Sequence, residues 1–127
     1  MKITVCTPTF NEKDNILRLC SEIRETFNKI QCDYEHLIID NNSNDGTIEI
    51  LRDICKKDKK IKVIINNKNY GHIKSPFYGL LQTNTDATIL MASDFQDPVE
   101  LIPKYIERWK SGSKIVLGKK NPQKKIK

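Results

Sequence analysis

Two polar residues, Asp94 and Gln96, closely follow the apolar run at residues 89–92. Carboxylate and amide oxygens are hard ligands of the kind that Mg²⁺ and Mn²⁺ prefer, and Mg²⁺ commonly binds one or two carboxylates together with substrate phosphates. The pair therefore predicts a metal site completed by a diphosphate, where the metal would neutralise charge on the departing group. A simple turn is the alternative for Asp94. The DPVE sequence at residues 97–100 is typical of a helix N-terminus.

Phe10 and Asp40 each lie in a polar stretch just after an apolar run. No periodic apolar face includes Phe10, so its ring is a candidate for stacking on a nucleobase, with core packing as the alternative. The carboxylate of Asp40 is suited to accept hydrogen bonds from a base or a ribose, although an acid here could equally open the turn NNSNDG at residues 41–46. Asn69 precedes a predicted helix whose free amides could contact an anion, or it belongs to a turn.

Strand-like and helix-like segments alternate along the chain and would position these residues. Five short apolar runs are predicted as strands, and four stretches with apolar residues every three or four positions are predicted as helices. The predicted strands are residues 2–6, 34–40, 61–65, 87–92 and 114–117, and the predicted helical faces lie within 16–30, 48–55, 73–81 and 99–109. This order, with right-handed crossovers and continuously apolar strands, predicts an α/β fold: a parallel, Rossmann-like sheet with helices on both faces.

The polar clusters occupy equivalent places in this predicted sheet. They lie at residues 7–12, 40–43, 66–71 and 94–97, each just after a strand. Ligands of such sheets bind beyond the carboxyl ends of the strands, where the strand order reverses. We therefore expect the four clusters to meet at one edge and to form a ligand site.

Composition indicates one globular domain, because the chain has 127 residues, of which 38% are hydrophobic and 30% charged. No apolar run approaches the roughly 18 residues of a membrane span, and no signal-peptide pattern is present, so a cytoplasmic location is expected. The four cysteines lack metal-binding spacing and are expected to be free, buried thiols. Residues 104–127 hold nine Lys and Arg and one acid; we expect a solvated basic tail over 119–127 and no nucleic-acid partner.

Four motifs resemble those of family 2 glycosyltransferases and occur in that family's order: TPTFNE (7–12), LIIDNNSNDGT (37–47), NYGHIKSPFYGL (69–80) and SDFQDPVELIP (93–103). The last is most similar to the branch that transfers sugars to polyprenyl phosphates or related lipids. The resemblance covers nearly the whole chain. It implies a GT-A fold with a nucleotide-sugar-binding domain over residues 1–118. The implied reaction is an inverting transfer from a UDP- or GDP-linked sugar, with help from Mg²⁺ or Mn²⁺.

The resemblance also implies roles for individual residues. The implied nucleotide pocket is lined by Pro8, Thr9, Phe10, Glu12, Asp40, Asn41, Asn69 and Asp94. Asp94 corresponds to the last acid of the family's Asp-x-Asp motif, and it is the implied metal ligand together with Gln96. The first acid of that motif is replaced by Ala92, so weaker metal binding is expected.

The family's acceptor-binding half would begin near Lys127, so the resemblance implies that this chain is the donor-binding part. The catalytic base, the acceptor contacts and any membrane helices are then expected in the other half, and this part alone could bind donor without turnover. The whole enzyme is expected at the inner face of the membrane, in cell-envelope polysaccharide biosynthesis, with a lipid-linked or cell-surface glycan as acceptor.

Two other functions are compatible with parts of the sequence. Ala92 would also fit a non-catalytic nucleotide-binding or interaction module whose metal motif has been lost. A phosphorylated receiver module shares the alternating topology and a lysine after the last predicted strand, Lys119. A receiver, however, needs an acidic pair after its first strand, and this chain has Thr-Pro-Thr at residues 7–9.

Overall fold

The computed structural model describes residues 1–68, 85–93 and 99–112. The strands of these ranges form one sheet, and they are β1 (Lys2–Thr9), β2 (Asp33–Asp40), β3 (Ile61–Ile65) and β4 (Ala87–Leu90). The helices are α1 (Ile16–Ile30), α2 (Thr47–Lys57) and α3 (Ile102–Lys110), the last preceded by a 3-10 turn at Val99–Leu101. All three strand pairings are parallel, and the order is β3-β2-β1-β4. The predicted parallel α/β fold is confirmed.

The first strand is longer than its apolar run, because β1 continues through Thr9, which pairs with Asp40 at the end of β2. The last described strand is shorter than predicted, since β4 ends at Leu90. The helix predicted within residues 73–81 and the strand predicted at 114–117 lie outside the described residues.

One face of the sheet carries the main hydrophobic core. Helix α1 contributes an apolar stripe at three- and four-residue spacing, which packs on Ile3, Val5 and Ile38 of the sheet. Leu51 of α2 and Ile102 of α3 belong to the same cluster, so all three described helices cover this face. Burying such side chains contributes about 1.5–3 kcal/mol each, which is why the helical stripes fix the order of the layers.

The other face of the sheet carries a smaller cluster. Cys6, Leu37 and Ile39 are buried there, with Ile64 packed against them. In-register partners of parallel strands point to the same face of the sheet. Cys6 and Leu37 are such partners in the β1–β2 pairing, so they share this face. The strands therefore carry apolar side chains on both faces, as their continuous apolar runs predicted.

All four cysteines are free thiols as predicted, and the predicted burial holds for two of them. Cys6 and Cys20 are buried, whereas Cys32 and Cys55 are half-buried, so the expectation of four buried thiols is wrong for the second pair. Burial raises the pKa of Cys6 to about 11 and that of Cys20 to about 12. Both buried thiols therefore remain protonated and unreactive at neutral pH.

The fourth predicted helix begins later than the sequence pattern indicated. The DPVE sequence predicted a helix start at residues 97–100, but residues 99–101 form a 3-10 turn, and α3 begins at Ile102. Pro103 explains the difference. An α-helix that began at residue 98 would place Pro103 in its interior, where the missing N–H removes a bond to the carbonyl of residue 99. With the start at Ile102, the proline lies in the first turn, where it is tolerated.

The strand order places a topological switch next to β1. From β1 the chain proceeds to β2 and β3 on one side, whereas β4 pairs with β1 on the other side. The carboxyl ends of β1 and its neighbours therefore surround the crevice in which ligands of such sheets bind. None of the helices in the described ranges is long and apolar enough to cross a membrane.

Candidate functional site

Asp40 ends β2 and has no exposed surface (0% relative exposure). Its Oδ2 accepts a hydrogen bond from the backbone N–H of Ser43 at 2.8 Å, and its Oδ1 accepts one from the Ser43 hydroxyl at 2.6 Å. Between them, Asn42 adopts a left-handed conformation (φ 65°). The carboxylate thus closes a turn, which supports the turn alternative for Asp40. Two oxygens offer about four lone-pair sites, of which these two bonds use one on each oxygen.

Ser43 connects this turn to the loop that follows β1. Its Oγ accepts a hydrogen bond from the backbone N–H of Asn11 at 2.8 Å, while the N–H of Asn44 donates to Oδ1 of Asn11 at 2.9 Å. We call Asp40, Ser43, Asn44 and Asn11 the loop clasp. It joins residues 33 positions apart in sequence, and it brings the polar clusters after β1 and β2 together as predicted.

Glu12 and α2 are held by a second set of contacts between the same loops. The Glu12 N–H donates to Oγ1 of Thr47 at 3.1 Å, and the Thr47 hydroxyl donates to Oδ1 of Asp45 at 2.5 Å. Burial raises the pKa of Asp45, but the hydrogen bonds from the Thr47 hydroxyl and N–H together have a larger, opposite effect. The pKa of Asp45 is therefore below its usual value. The Glu12 carboxylate accepts a hydrogen bond from Nδ2 of Asn15 at 3.1 Å. In this structure Glu12 therefore stabilises the start of α1.

Two buried asparagines link the ends of β2 and β3. Nδ2 of Asn66 donates to Oδ1 of Asn41 at 2.9 Å, and the backbone N–H of Asn66 donates to the carbonyl oxygen of Asp40 at 2.9 Å. Asn66 was not among the candidate site residues chosen from the sequence. The available signal was its position directly after β3, at the start of the polar cluster at residues 66–71.

The residues around Phe10 are anchored, while its ring is exposed. The Thr9 carbonyl accepts a hydrogen bond from the N–H of Asn41 at 2.8 Å, and Thr9 itself is buried, whereas Pro8 is half-buried. Phe10 is 42% exposed and belongs to neither hydrophobic cluster. The core-packing alternative for Phe10 is therefore wrong, and this aromatic residue is exposed at the carboxyl edge of the sheet.

A comparison with known families identifies the chain. Residues 4–122 match the family model described as glycosyl transferase family 2. The chain belongs to this family. The resemblance in the four sequence motifs is thus confirmed.

Relatives in this family carry names that refer to bactoprenol and to dolichol phosphate. The bactoprenol glucosyl transferase of Shigella phage SfX is 33% identical over 121 residues, which are 95% of this chain and 40% of that protein. The dolichol-phosphate mannosyltransferase of Pyrococcus furiosus is 35% identical over 118 residues, which are 93% of this chain and 33% of that protein. The chain thus spans 40% or less of the length of these two relatives.

Solved structures of similar proteins confirm the GT-A fold. Staphylococcus aureus TarS matches with a TM-score of 0.66 and 26% identity over 97% of this chain and 23% of that one. The mannosyltransferase PcManGT from Pyrobaculum calidifontis, in complex with GDP-Man and Mn²⁺, matches with a TM-score of 0.62 over 76% of this chain and 32% of that one. At 19% identity this second likeness supports the fold alone.

Three of the candidate site residues, Asn69, Asp94 and Gln96, lie outside the described residues. Among the described residues that precede Asp94 in sequence, the N–H of Met91 donates to the carbonyl of Cys6 at 2.9 Å, and Ser93 is buried. Residues 1–68, 85–93 and 99–112 contain no group of three His, Cys, Asp or Glu side chains that could hold a metal ion.

Proposed function

We propose that this chain binds the nucleotide diphosphate sugar of an inverting glycosyltransferase, at the carboxyl edge of its sheet. The observation that carries the proposal is the loop clasp, which joins the polar residues after β1 and β2 beside the exposed ring of Phe10. A buried carboxylate, amides and an open aromatic face suit a nucleoside, because a base offers a π-face and hydrogen-bonding edges.

Within this site we assign the base to the face of Phe10, and the polar contacts to the ends of the three neighbouring strands. The proposed nucleotide-binding residues are Pro8, Thr9, Phe10, Glu12, Asp40, Asn41, Asn69 and Asp94, to which we add Asn66 because of its bonds to Asn41 and Asp40. Asn41 is a supported member of this set, because Asn66 holds its side-chain oxygen and Thr9 holds its backbone. Polar groups that are already held in place favour binding, because little conformational entropy is lost when the ligand binds.

Asp94 and Gln96 are the proposed ligands of Mg²⁺ or Mn²⁺, which would stabilise negative charge on the departing nucleoside diphosphate. PcManGT, which shares the fold, is in complex with both Mn²⁺ and GDP-Man, and we propose the same combination of metal and donor here. We propose a UDP- or GDP-linked donor; a UDP complex of Staphylococcus aureus TarS, 25% identical over 85% of this chain, supports the first of these.

The proposed acceptor is lipid-linked, which the names of the bactoprenol and dolichol-phosphate relatives support. With this acceptor we also propose a role in cell-envelope glycan synthesis on the cytoplasmic side of a membrane. The acceptor's proton must pass to a general base, to which we assign no residue of this chain.

Titration calorimetry with UDP and with GDP, each with and without Mn²⁺, tests the proposal. We expect saturable binding of one nucleotide that becomes tighter when Mn²⁺ is present. Absence of binding of both nucleotides to the folded protein would contradict the proposed function. A nucleotide affinity that is the same with and without Mn²⁺ would instead favour the non-catalytic alternative that Ala92 suggested.

Replacing Phe10 with alanine is expected to weaken nucleotide binding about tenfold, since base–aromatic stacking contributes about 1–3 kcal/mol per base. The free energy of unfolding should change little, because the ring is 42% exposed. Leu17→Ala is the matched control, as Leu17 is an exposed apolar residue (52%) on α1. Equal affinities of the two variants would exclude Phe10 from the base site.

Replacing Asp94 with alanine is expected to abolish the gain in nucleotide affinity that Mn²⁺ provides, because the metal would lose its charged ligand. Affinity without metal should remain near that of the unmodified chain. The control is Asp53→Ala, which removes an exposed carboxylate paired with Lys57 on α2. A Mn²⁺ effect that survives in Asp94→Ala would remove Asp94 from the proposed metal site.

A further inference from the structure

We infer that Ser43 is a positioning residue for Phe10, whose ring it holds in place through Asn11 for stacking on the nucleobase. The inference rests on the proposed nucleotide site and adds to it a residue that does not itself touch the ligand. It follows from three links in the structure: from Asp40 to Ser43, from Ser43 to Asn11, and from Asn11 to the neighbouring aromatic residue.

The first link fixes the direction of the Ser43 hydroxyl. Its single proton is donated to Oδ1 of Asp40 at 2.6 Å, and the backbone N–H of Ser43 donates to Oδ2 at 2.8 Å. Both residues are buried, so water does not compete for these charge-assisted bonds. With its proton committed to the carboxylate, Oγ must present a lone pair to any other partner.

The second link uses that lone pair. The N–H of Asn11 donates to Oγ of Ser43 at 2.8 Å, and the side chain of Asn11 accepts from the N–H of Asn44 at 2.9 Å. Asn11 also has a left-handed backbone (φ 52°), a conformation that asparagine tolerates better than most residues. Two bonds of opposite direction therefore hold Asn11 in a backbone state that it would rarely adopt alone.

The third link is the backbone on either side of the aromatic residue. Thr9 precedes Phe10 and is bonded through its carbonyl to the N–H of Asn41, while Asn11 follows Phe10 and is bonded to Ser43. Both neighbours of Phe10 are thus anchored to the segment that follows β2. The backbone of Phe10 is fixed from both sides although its ring is exposed, which is the arrangement of a preorganised binding group.

Loss of the Ser43 hydroxyl should therefore weaken nucleotide binding only while the aromatic ring is present. Ser43→Ala leaves the Asn11 N–H without its acceptor and releases one side of Phe10. We expect about a fivefold loss of nucleotide affinity, within the range known for ordering one side chain on binding.

A double-mutant cycle separates positioning from general damage. UDP and GDP are titrated, with Mn²⁺, into the full chain and its Ser43→Ala, Phe10→Ala and double variants, at a temperature where thermal melts show all four folded. The expected result is a fivefold loss from Ser43→Ala in the unmodified background and no further loss when Phe10 is already alanine. An equal loss in both backgrounds would overturn the inference and leave Ser43 a merely structural residue.

Asn11→Gly provides a second, independent cycle, which also covers the case in which Ser43→Ala does not fold. Glycine keeps the left-handed backbone and the N–H but removes the contact with Asn44. Its effect on affinity should likewise vanish in the Phe10→Ala background, and a loss that persists there would refute the inference. The failure of the unmodified chain to bind either nucleotide would instead refute the proposed function, and the positioning role with it.

Discussion

Replacing Asp40 with alanine is expected to lower the free energy of unfolding by about 3 kcal/mol, because two buried hydrogen bonds to a charged group are lost and their donors stay unsatisfied. Those donors are the N–H and the hydroxyl of Ser43, both buried. The same change removes the support of the loop clasp, so nucleotide affinity should fall as well. Urea unfolding at pH 7, with nucleotide titration on the same samples, measures both effects.

A matched pair of controls isolates the role of the carboxylate. Asp53→Ala removes an acid of 66% side-chain exposure that pairs with Lys57, and such exposed pairs contribute about 0–1 kcal/mol. Asp40→Asn keeps one side-chain oxygen for Ser43 but faces the other donor with an N–H group, so its stability should lie between those of the two alanine variants. If Asp40→Ala were no less stable than Asp53→Ala, the clasp would not be a stabilising element.

The arrangement of strands was accessible from the sequence because apolar periodicity reports burial directly. The stripe of α1 recurs every three or four residues and predicted Ile16 to Ile30, which are the ends of the observed helix. The run at 61–65 predicted β3 in the same way. At the start of α3 two local rules compete, and the DPVE capping sequence indicated the wrong first residue because Pro103 is tolerated only in the first turn.

The edge at which the site forms was also predictable, but its internal contacts were not. Parallel strands necessarily carry the residues after β1 and β2 to one edge, so the proximity of residues 7–12 and 40–43 followed from topology alone. The bond from Asn11 to Ser43, by contrast, depends on left-handed backbones at Asn11 and Asn42. No periodicity encodes a single residue of positive φ, and neither residue is a glycine that would have marked it.

The same limit applies to His36, which the sequence indicated only as a residue of a strand. It lies in β2, is buried and donates or accepts at Nε2 with the Thr7 hydroxyl, 2.8 Å away. Among the described residues, Nδ1 of His36 has no hydrogen-bond partner. A charged imidazole would carry a second N–H with nothing to accept it, so this environment favours the neutral ring.

The burial of His36 predicts a loss of stability in mild acid. Desolvation lowers the pKa of His36 from 6.5 to about 4, although the negative charge of Asp58 opposes this effect. Between these values the unfolded chain binds a proton that the folded chain excludes, so stability falls as the pH falls. We expect the free energy of unfolding to decrease by about 2 kcal/mol between pH 7 and pH 4.5 from this residue. Asp33 and Asp45 have lowered pKa values, so the stability that they contribute is lost at lower pH.

Urea unfolding at several pH values, for the unmodified chain and for His36→Leu, isolates this contribution. The variant loses the hydroxyl contact of Thr7 and should start from a lower stability at pH 7, but its decline toward pH 4.5 should be shallower by about 2 kcal/mol. NMR titration of the His72→Gln chain, which leaves His36 as its single histidine, gives the imidazole pKa directly. A folded-state pKa near 6.5 would show that water reaches Nδ1. In that case His36 would not oppose folding in acid, and the interior between α1 and β2 would be more polar than its packing indicates.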